Sequence, residues 1–245
     1  MPKKFKVVWV LCCIFIFVGF IYVTIKTQMK ENKARQEVQA QQYKQREEEK
    51  KVEQAKRFEV MKRLDLLKDH VSNGKFDEAE KLAQELNAED PNNAEVFTWW
   101  GITLVKADRR DEALDKFIQS AHINPNSART YIYWGLTLEM KGKHQEAIDK
   151  YENALLLEPE NSSAYAYWGA SLAKMGKHEQ AIAKLMEALE FNKYNKTAYG
   201  VLVDSLYHQG QYQKAWEIVK RARDAKMDIS KDSLDRLAAA LPEPA

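Results

Sequence analysis

A period of 34 residues constrains this chain more than any other feature of its sequence. Trp100, Trp134 and Trp168 stand 34 residues apart, and a glycine directly follows each of them. Leucine, alanine and proline keep the same spacing, at Leu104, Leu138, Leu172 and Leu206, at Ala113, Ala147, Ala181 and Ala215, and at Pro91, Pro125 and Pro159. Such a period indicates a stacked array of helical repeats, which acts through an extended surface and has no catalytic centre of its own.

The period divides the middle of the chain into five units, at residues 60–93, 94–127, 128–161, 162–195 and 196–229. Each unit has the pattern of two amphipathic helices joined by a turn that needs a positive φ. That turn falls at Gly74, Asp108, Gly142, Gly176 and Gly210, and aspartate tolerates the conformation less well than glycine. In the first four units acidic residues then open the second helix, as the helix dipole favours. Residues 230–241, with Ser230 as the N-cap, are predicted to form a capping helix before a short tail at 242–245.

The pattern resembles the tetratricopeptide repeat family. The third unit carries the resemblance most fully, in Tyr131, Trp134, Gly135, Leu138, Ala147, Tyr151, Ala154 and Pro159. The second unit departs from it with Ser120 in place of an alanine, and the fourth with Lys193 in place of the closing proline. The first and fifth units are degenerate, as terminal repeats usually are. The resemblance implies an all-α solenoid of helix–turn–helix repeats.

In that family the first helices of successive units line a concave groove that binds peptides. The resemblance therefore implies a partner-binding groove formed by Thr98, Trp99, Ile102, Val105, Arg129, Ile132, Tyr133, Leu136, Ala166, Tyr167, Ala170, Lys174, Asp204 and Tyr207. The Lys and Asn clamp with which one branch of the family grips a terminal carboxylate is absent, because apolar residues such as Ile102 and Leu136 stand in its places. The aromatic and aliphatic lining suits an apolar helix or an extended segment.

The two aromatic positions of each central repeat differ in the role we expect of them. Trp100, Trp134 and Trp168 are predicted to pack in the core. Trp99, Tyr133 and Tyr167 come one residue earlier, about 100° away on the helix, and are predicted to face the ligand. Packing against a neighbouring helix, or self-association through the groove, is the alternative for these three.

An uncharged segment of 19 residues, Val7–Ile25, precedes the repeats. It has the length of a spanning helix, which needs about 20 apolar residues, and it lacks the small residues of a signal-peptide cleavage site. The segment therefore predicts an uncleaved, single-pass membrane anchor after a basic tail at residues 1–6. Lysines flank it on both sides, so orientation stays open, although in a bacterium the inner membrane with periplasmic repeats is favoured.

Residues 26–59 are predicted to form a charged helical stem. No glycine or proline occurs from Gln28 to Arg57, and Glu47 with Lys51 and Glu53 with Arg57 have the spacing of ion pairs on one helix face. Apolar residues are too sparse for a sustained coiled-coil seam. A simple spacer is therefore favoured over a dimerising coiled coil.

The sequence offers no catalytic, metal or cofactor site. His144 and His178 occupy equivalent turn positions and are expected to be solvated, because helices about 8–10 Å apart cannot bring them to one zinc ion. No phosphate loop or nucleophile motif appears. Residues 60–245 carry 25 basic and 29 acidic groups, without the basic stripe that nucleic-acid binding requires.

Three functions fit these features. The first is a membrane-anchored scaffold that binds a partner protein or peptide in the groove and needs no cofactor. The second is a self-assembling structural protein, a homo-oligomer that coats a membrane. The third is a receptor that passes precursor proteins to a membrane translocator.

Overall fold

A computed structural model describes the backbone of residues 3–244 and the side chains of residues 15–33 and 35–244. Every helix within these residues is α-helical, and no strand occurs among them. The chain divides into two compact units, Met1–Met61 and Lys62–Ala245. The predicted all-α repeat array is confirmed in the second unit.

The first helix, α1, runs without interruption over Lys3–Ser72. The predicted stem is therefore one part of a longer helix, whose last turns also serve as the first helix of the first repeat. Glu53 pairs with Arg57 as predicted, at 3.1 Å. The predicted pair of Glu47 with Lys51 is wrong, because Lys50 pairs with Glu47 and Lys51 with Glu48, each at 2.9 Å and a spacing of three residues.

No helix in the described part of the chain contains a stretch long and apolar enough to cross a membrane. The predicted anchor at residues 7–25 begins with residues 7–14, whose side chains lie outside the described set.

Nine helices after α1, α2 to α10, complete the repeats within the described residues. They are α2 (Phe76–Glu89), α3 (Ala94–Lys106), α4 (Arg110–Ile123), α5 (Ala128–Met140), α6 (His144–Leu157), α7 (Ser162–Lys174), α8 (His178–Phe191), α9 (Lys196–His208) and α10 (Tyr212–Asp224). The first helices α3, α5, α7 and α9 contact one another in order and also pack against their own second helices. Successive first helices therefore lie side by side and form one face of the repeat array.

The turn inside each repeat has the left-handed backbone that the sequence predicts. Gly74, Gly142, Gly176 and Gly210 have φ between 68° and 75°, and Asp108 has φ of 63° in the same place. A glycine adopts this conformation without steric cost, whereas a side chain disfavours it. The turn is thus the same in all five units although its residue differs in one.

A capping residue of period 34 begins the first helices, which the sequence analysis did not predict. Asn93, Ser127, Asn161 and Asn195 each accept a hydrogen bond from a backbone N–H in the first turn of the following helix. Asparagine and serine are favoured at this position because their short side chains reach those unpaired donors. The last residue of each unit from 60–93 to 162–195 therefore fixes where the next unit starts.

Small residues set the distance between the two helices of a repeat. Ala113, Ala147, Ala181 and Ala215 are fully buried. A Cβ atom at Gly135 would lie 2.5 Å from Cε1 of Tyr151, and one at Gly101 would lie 2.6 Å from Cε1 of Phe117. Glycine follows the repeated tryptophan because a large side chain from the second helix, Phe117, Tyr151 or Leu185, occupies the space of its side chain.

The predicted capping helix, α11, covers Lys231–Ala240 and packs against α9 and α10. Ser230 caps it by accepting a hydrogen bond from the N–H of Ser233 at 3.2 Å. Leu237 is fully buried in the last core cluster, and the indole N–H of Trp216 donates to the carbonyl of Leu241 at 2.9 Å. The apolar stripe of α11 thus covers the last repeat.

Candidate functional site

Three half-buried aromatic side chains follow one another along the first helices. Trp99 on α3, Tyr133 on α5 and Tyr167 on α7 occupy equivalent positions and are each partly exposed. We call the surface that they share with Arg129, Leu136 and Ala170 the groove face. Two cations lie near the ring of Trp99, with Lys68 Nζ 5.8 Å and Arg129 Cζ 5.6 Å from its centre. Cations at this distance are attracted by the ring.

A cavity of about 240 Å³ opens on the groove face between the third and fourth repeats. Five of the predicted groove residues line it together, namely Arg129, Ile132, Tyr133, Leu136 and Tyr167. Glu158, Asn161 and Ser163, which come from the loop between the repeats and the start of α7, complete the lining. Ser163 has a groove position in the fourth unit, whereas the repeat pattern did not point to Glu158 or Asn161, which stand on either side of the third unit's closing proline.

A second cavity, of about 330 Å³, lies beside the first at the junction of the second and third repeats. Glu95, Asn124 and Ser127 line it, and it shares Arg129 and Glu158 with the first cavity. The two cavities therefore lie on either side of one arginine and one glutamate. Both are small and open, which suits side chains of a bound segment rather than a free metabolite.

Three predicted groove residues lie in the core instead. Thr98, Ile102 and Ala166 are 3%, 2% and 1% exposed, so they lie beneath the groove surface, although Thr98 also contributes to the lining of the second cavity. Ile132 is also buried and contributes the floor of the first cavity.

The burial of Thr98 has a specific cause in the second repeat. Its hydroxyl lies 2.7 Å from that of Ser120 and 2.9 Å from that of Thr130, and Ser120 donates to the carbonyl of Ala94 at 2.8 Å. Ser120 stands where the third, fourth and fifth repeats have alanine, and a buried hydroxyl needs partners. The buried hydroxyl of Ser120, which departs from the repeat pattern, thus lies in hydrogen-bonding contact with the hydroxyls of Thr98 and Thr130.

Two predicted groove charges are already paired within the protein. Lys174 Nζ lies 2.9 Å from Glu139 Oε1, and the guanidinium of Arg236 on α11 lies 2.8 Å from Asp204 Oδ1. Val105, Ala170 and Tyr207 remain partly exposed, but Tyr207 also contacts Tyr212, with ring centres 5.6 Å apart. The end of the predicted groove in the fifth repeat is therefore largely occupied by the chain itself.

Glu139 is a buried carboxylate that the repeat pattern does not require, since the equivalent positions hold Val105, Ala173 and Tyr207. Its side chain is 9% exposed and accepts hydrogen bonds from Ser171, Lys174 and the His144 ring, whose Nδ1 lies 3.0 Å away. Burial opposes its charge, but these three hydrogen bonds outweigh burial and hold the pKa of Glu139 below its usual range. The carboxylate joins the third repeat to the fourth.

The histidines differ from the prediction of solvated turn residues. His144 is 29% exposed and contacts Glu139. His178 stacks on His208 of the next repeat, with ring centres 4.6 Å apart and planes 13° apart. Burial and the neighbouring His208 lower the pKa of His178. Stacked rings point their nitrogen lone pairs along parallel planes, so the pair is unsuited to sharing one metal ion.

The repeated tryptophans are only partly buried, and a second ladder of period 34 covers them. Lys116 Nζ lies 3.8 Å from the ring centre of Trp100, Lys150 Nζ 4.2 Å from that of Trp134, and Lys184 Nζ 4.6 Å from that of Trp168. The aliphatic stem of a lysine can cover an aromatic face while its ammonium group stays in water. These tryptophans pack between helices, as expected of a structural role, and a lysine lies over the ring of each.

No group of three or more potential ligands among His, Cys, Asp and Glu comes together in the described residues. The side chains that converge on the groove face are aromatic, aliphatic and singly charged groups. Such a set can bind a polypeptide segment by burying apolar side chains and pairing a few charges.

Two sequence profiles of the tetratricopeptide repeat match the chain, one at residues 128–161 and the other at 64–128 and 167–228. The chain therefore belongs to the tetratricopeptide repeat family, whose members are protein-interaction scaffolds and not enzymes. A comparison with curated proteins gave no significant match.

Several solved structures share the fold. The chain is similar to the crystal structure of MamA, with 23% identity, a TM-score of 0.58, and coverage of 64% of this chain and 92% of that one. It is similar to PilF of Pseudomonas aeruginosa, with 18% identity, a TM-score of 0.68, and coverage of 75% and 85%. A thermophilic tetratricopeptide repeat protein of Thermus thermophilus gives 21% identity, a TM-score of 0.59, and coverage of 74% and 98%. At these identities the likeness concerns the fold alone.

Proposed function

We propose that this protein is a membrane-anchored scaffold that holds a segment of a partner protein on its groove face. The observation that carries the proposal is the cavity of about 240 Å³ between Tyr133 and Tyr167, with Ile132 and Leu136 beneath it. Tyrosine and arginine are frequent anchors of binding energy, because they bury much apolar area and still offer a polar group.

The composition of the groove face indicates the kind of contact. Its aromatic rings and Leu136 provide an apolar surface, and the paired charges Lys174–Glu139 and Lys68–Glu95 lie beside it. Apolar side chains of a partner would gain about 25 cal/mol for each Å² removed from water, whereas exposed ion pairs contribute little. Affinity is therefore expected to depend on the aromatic residues.

Photo-crosslinking in intact cells tests this function. We would replace Tyr133 with p-benzoylphenylalanine and, as the matched control, place the same group at Glu152, which is exposed on α6. The proposal expects a defined adduct from position 133 that is absent from position 152, and its loss when Tyr167→Ala is added. Adducts of equal yield from both positions, or none from position 133, would refute a role for the groove face.

We also propose that residues 7–25 anchor the protein in a membrane. The described part of this segment supports the idea, because Phe15, Phe17, Phe20 and Tyr22 are more than 60% exposed. A continuous exposed apolar surface is a mark of contact with a membrane or a partner. The charged residues that follow this segment would be costly to place inside the bilayer, so the membrane-embedded part is expected to end with it.

Extraction with alkaline carbonate tests the anchor. The full chain should remain in the membrane pellet, and a variant lacking residues 1–25 should move to the supernatant. If both partition alike, the anchor proposal fails. A reporter fused after Ala245 that is active only outside the cytoplasm would then test the orientation favoured for a bacterium, with the repeats in the periplasm.

A further inference from the structure

Arg129 differs from most cations along the groove face because no carboxylate oxygen of the described side chains lies within 4.0 Å of it. Lys68 pairs with Glu95, Lys174 with Glu139, and Arg236 with Asp204. Arg129 instead lies exposed beside the ring of Trp99, at 5.6 Å. An arginine on an aromatic face is held in place while its N–H donors remain available.

Arg129 lies where the two cavities of the groove face meet. It lines both the cavity of about 240 Å³ and the cavity of about 330 Å³. Glu158 also lines both, but one of its oxygens already accepts a hydrogen bond from Asn161 Nδ2 at 2.7 Å. Asn161 in turn caps α7 through Ala164. The guanidinium is therefore the cation that lines both cavities, and none of the hydrogen bonds or ion pairs found among the described side chains involves it.

Both cavities beside Arg129 combine apolar and polar lining. The first contains Ile132 and Leu136 together with the polar side chains of Glu158 and Asn161. The second contains Glu95, Asn124 and Ser127 together with Ala94 and Ala128. A segment that fills the first cavity with an apolar side chain would place a polar or charged side chain next to Arg129.

We propose that the partner segment carries an aspartate or glutamate that binds Arg129, close to an apolar residue that fills the cavity between Tyr133 and Tyr167. This inference rests on the proposed function and specifies the chemistry of its partner. Arginine and carboxylate form paired, charge-assisted hydrogen bonds, which fix geometry as well as adding affinity.

The spacing within the segment follows from the helix that carries both contacts. Arg129 and Leu136 stand seven residues apart on α5, which corresponds to about 10 Å at about 1.5 Å per residue. An extended chain covers that distance in about three residues. The expected motif is an acidic residue with a leucine, isoleucine or phenylalanine about three positions away.

A peptide selection tests the motif. The full-length chain in detergent micelles would be presented with random dodecapeptides displayed on phage. Selected peptides should contain the acidic and apolar pair, and replacing the acidic residue by its amide should weaken binding about tenfold, the loss that corresponds to about 1.4 kcal/mol. Arg129→Gln should cause the same loss and should make the acidic and amide peptides bind alike.

Matched variants separate the possible outcomes. Lys106→Gln removes another exposed cation that lines neither cavity, and it should leave affinity within about twofold because exposed charges act weakly at a distance. Selection of neutral apolar peptides that bind Arg129→Gln as well as the wild type would overturn this inference and leave the proposed function standing. Failure to select any peptide that depends on Tyr133 and Tyr167 would overturn the proposed function itself.

Discussion

At the scale of single residues, glycine and alanine recur where the two helices of a repeat come closest. Gly135 illustrates this, because the ring of Tyr151 fills the space where a side chain would begin. At Gly200 on α9, by contrast, a side-chain Cβ would have no neighbouring atom within 4 Å. Two glycines with similar helical settings therefore have opposite packing roles, which makes them a matched pair for experiment.

Gly135→Ala should lower the free energy of unfolding by about 1–3 kcal/mol, the usual cost of overpacking a core. Gly200→Ala should raise it by about 0.5–1 kcal/mol, because alanine favours the helix. Denaturant titration followed by circular dichroism measures both changes. Equal effects of the two substitutions would contradict the close contact between Gly135 and Tyr151.

Glu139→Gln is predicted to destabilise the third and fourth repeats at neutral pH by about 1–3 kcal/mol, because Lys174 and His144 lose their charged partner. The pKa of Glu139 lies below its usual range. A carboxylate with a lowered pKa contributes stability above its unfolded pKa and loses it as pH falls through the folded pKa. The difference between wild type and variant should therefore shrink in acid below about pH 4.

Thermal unfolding at pH 7 and at pH 3 measures this difference. Glu146→Gln is the control, because Glu146 pairs with Lys143 at the surface and is 57% exposed. Its effect should stay small at both pH values. A constant difference for Glu139→Gln at the two pH values would show that its carboxylate charge does not matter.

At the scale of helices and turns, the five turns share one backbone conformation although Asp108 replaces glycine in the second repeat. Asp108→Gly should raise the free energy of unfolding by about 0.5–1 kcal/mol, because glycine relieves the cost of positive φ. Asp108 also pairs with Arg110, but the aspartate is 74% exposed and such a pair adds little.

Asp108→Asn, which removes the charge and keeps a side chain, should change stability less. Denaturant titration of the three proteins measures these differences, and equal stability of wild type and Asp108→Gly would contradict a cost at this turn.

The junction between the fourth and fifth repeats is predicted to weaken in acid. The lowered pKa of His178 means that the unfolded chain binds its proton more readily than the folded one. Stability from this group is therefore complete above its unfolded pKa, about 6.5, and is lost as pH falls from there toward the folded pKa. His208→Gln removes one of the two causes and should reduce the loss.

Hydrogen exchange of the α8 and α9 amides between pH 7.5 and pH 5.5, corrected for the intrinsic pH dependence, reports on that junction. His122, on α4 and outside the stacked pair, supplies the control through His122→Gln, which should leave the dependence unchanged. Equal pH dependence in the wild type and in His208→Gln would show that the stacked pair plays no part.

At the scale of the whole molecule, the sequence predicted the parts of the fold that recur in every repeat. The turns at Gly142 and Gly176 could be placed because only glycine adopts their φ freely, and the alanine of period 34 indicated a close helix contact. The lysines over the tryptophans and the capping residues such as Asn161 also keep the period. They could have been found by extending the same comparison to polar positions.

The candidate site was less predictable, because burial of a side chain depends on neighbours that one repeat does not specify. Thr98 belongs to the groove by position, yet Ser120 and Thr130 draw its hydroxyl into the core. Lys174 has the position of a ligand contact, but Glu139 pairs with it. Contacts between different repeats, rather than the pattern within one, decide which side chains remain available to a partner.

The central claim is that the partner is held by the aromatic groove face, and the dissociation constant of a groove-selected peptide tests it most directly. Tyr133→Ala with Tyr167→Ala should weaken binding about 100-fold, since hot-spot residues cost about 2 kcal/mol or more each when truncated and their effects are not additive. Tyr194→Ala, which removes a tyrosine that is 55% exposed outside the groove face, should change it less than about twofold. Unchanged affinity in the double variant, with its helical content intact, would contradict the claim.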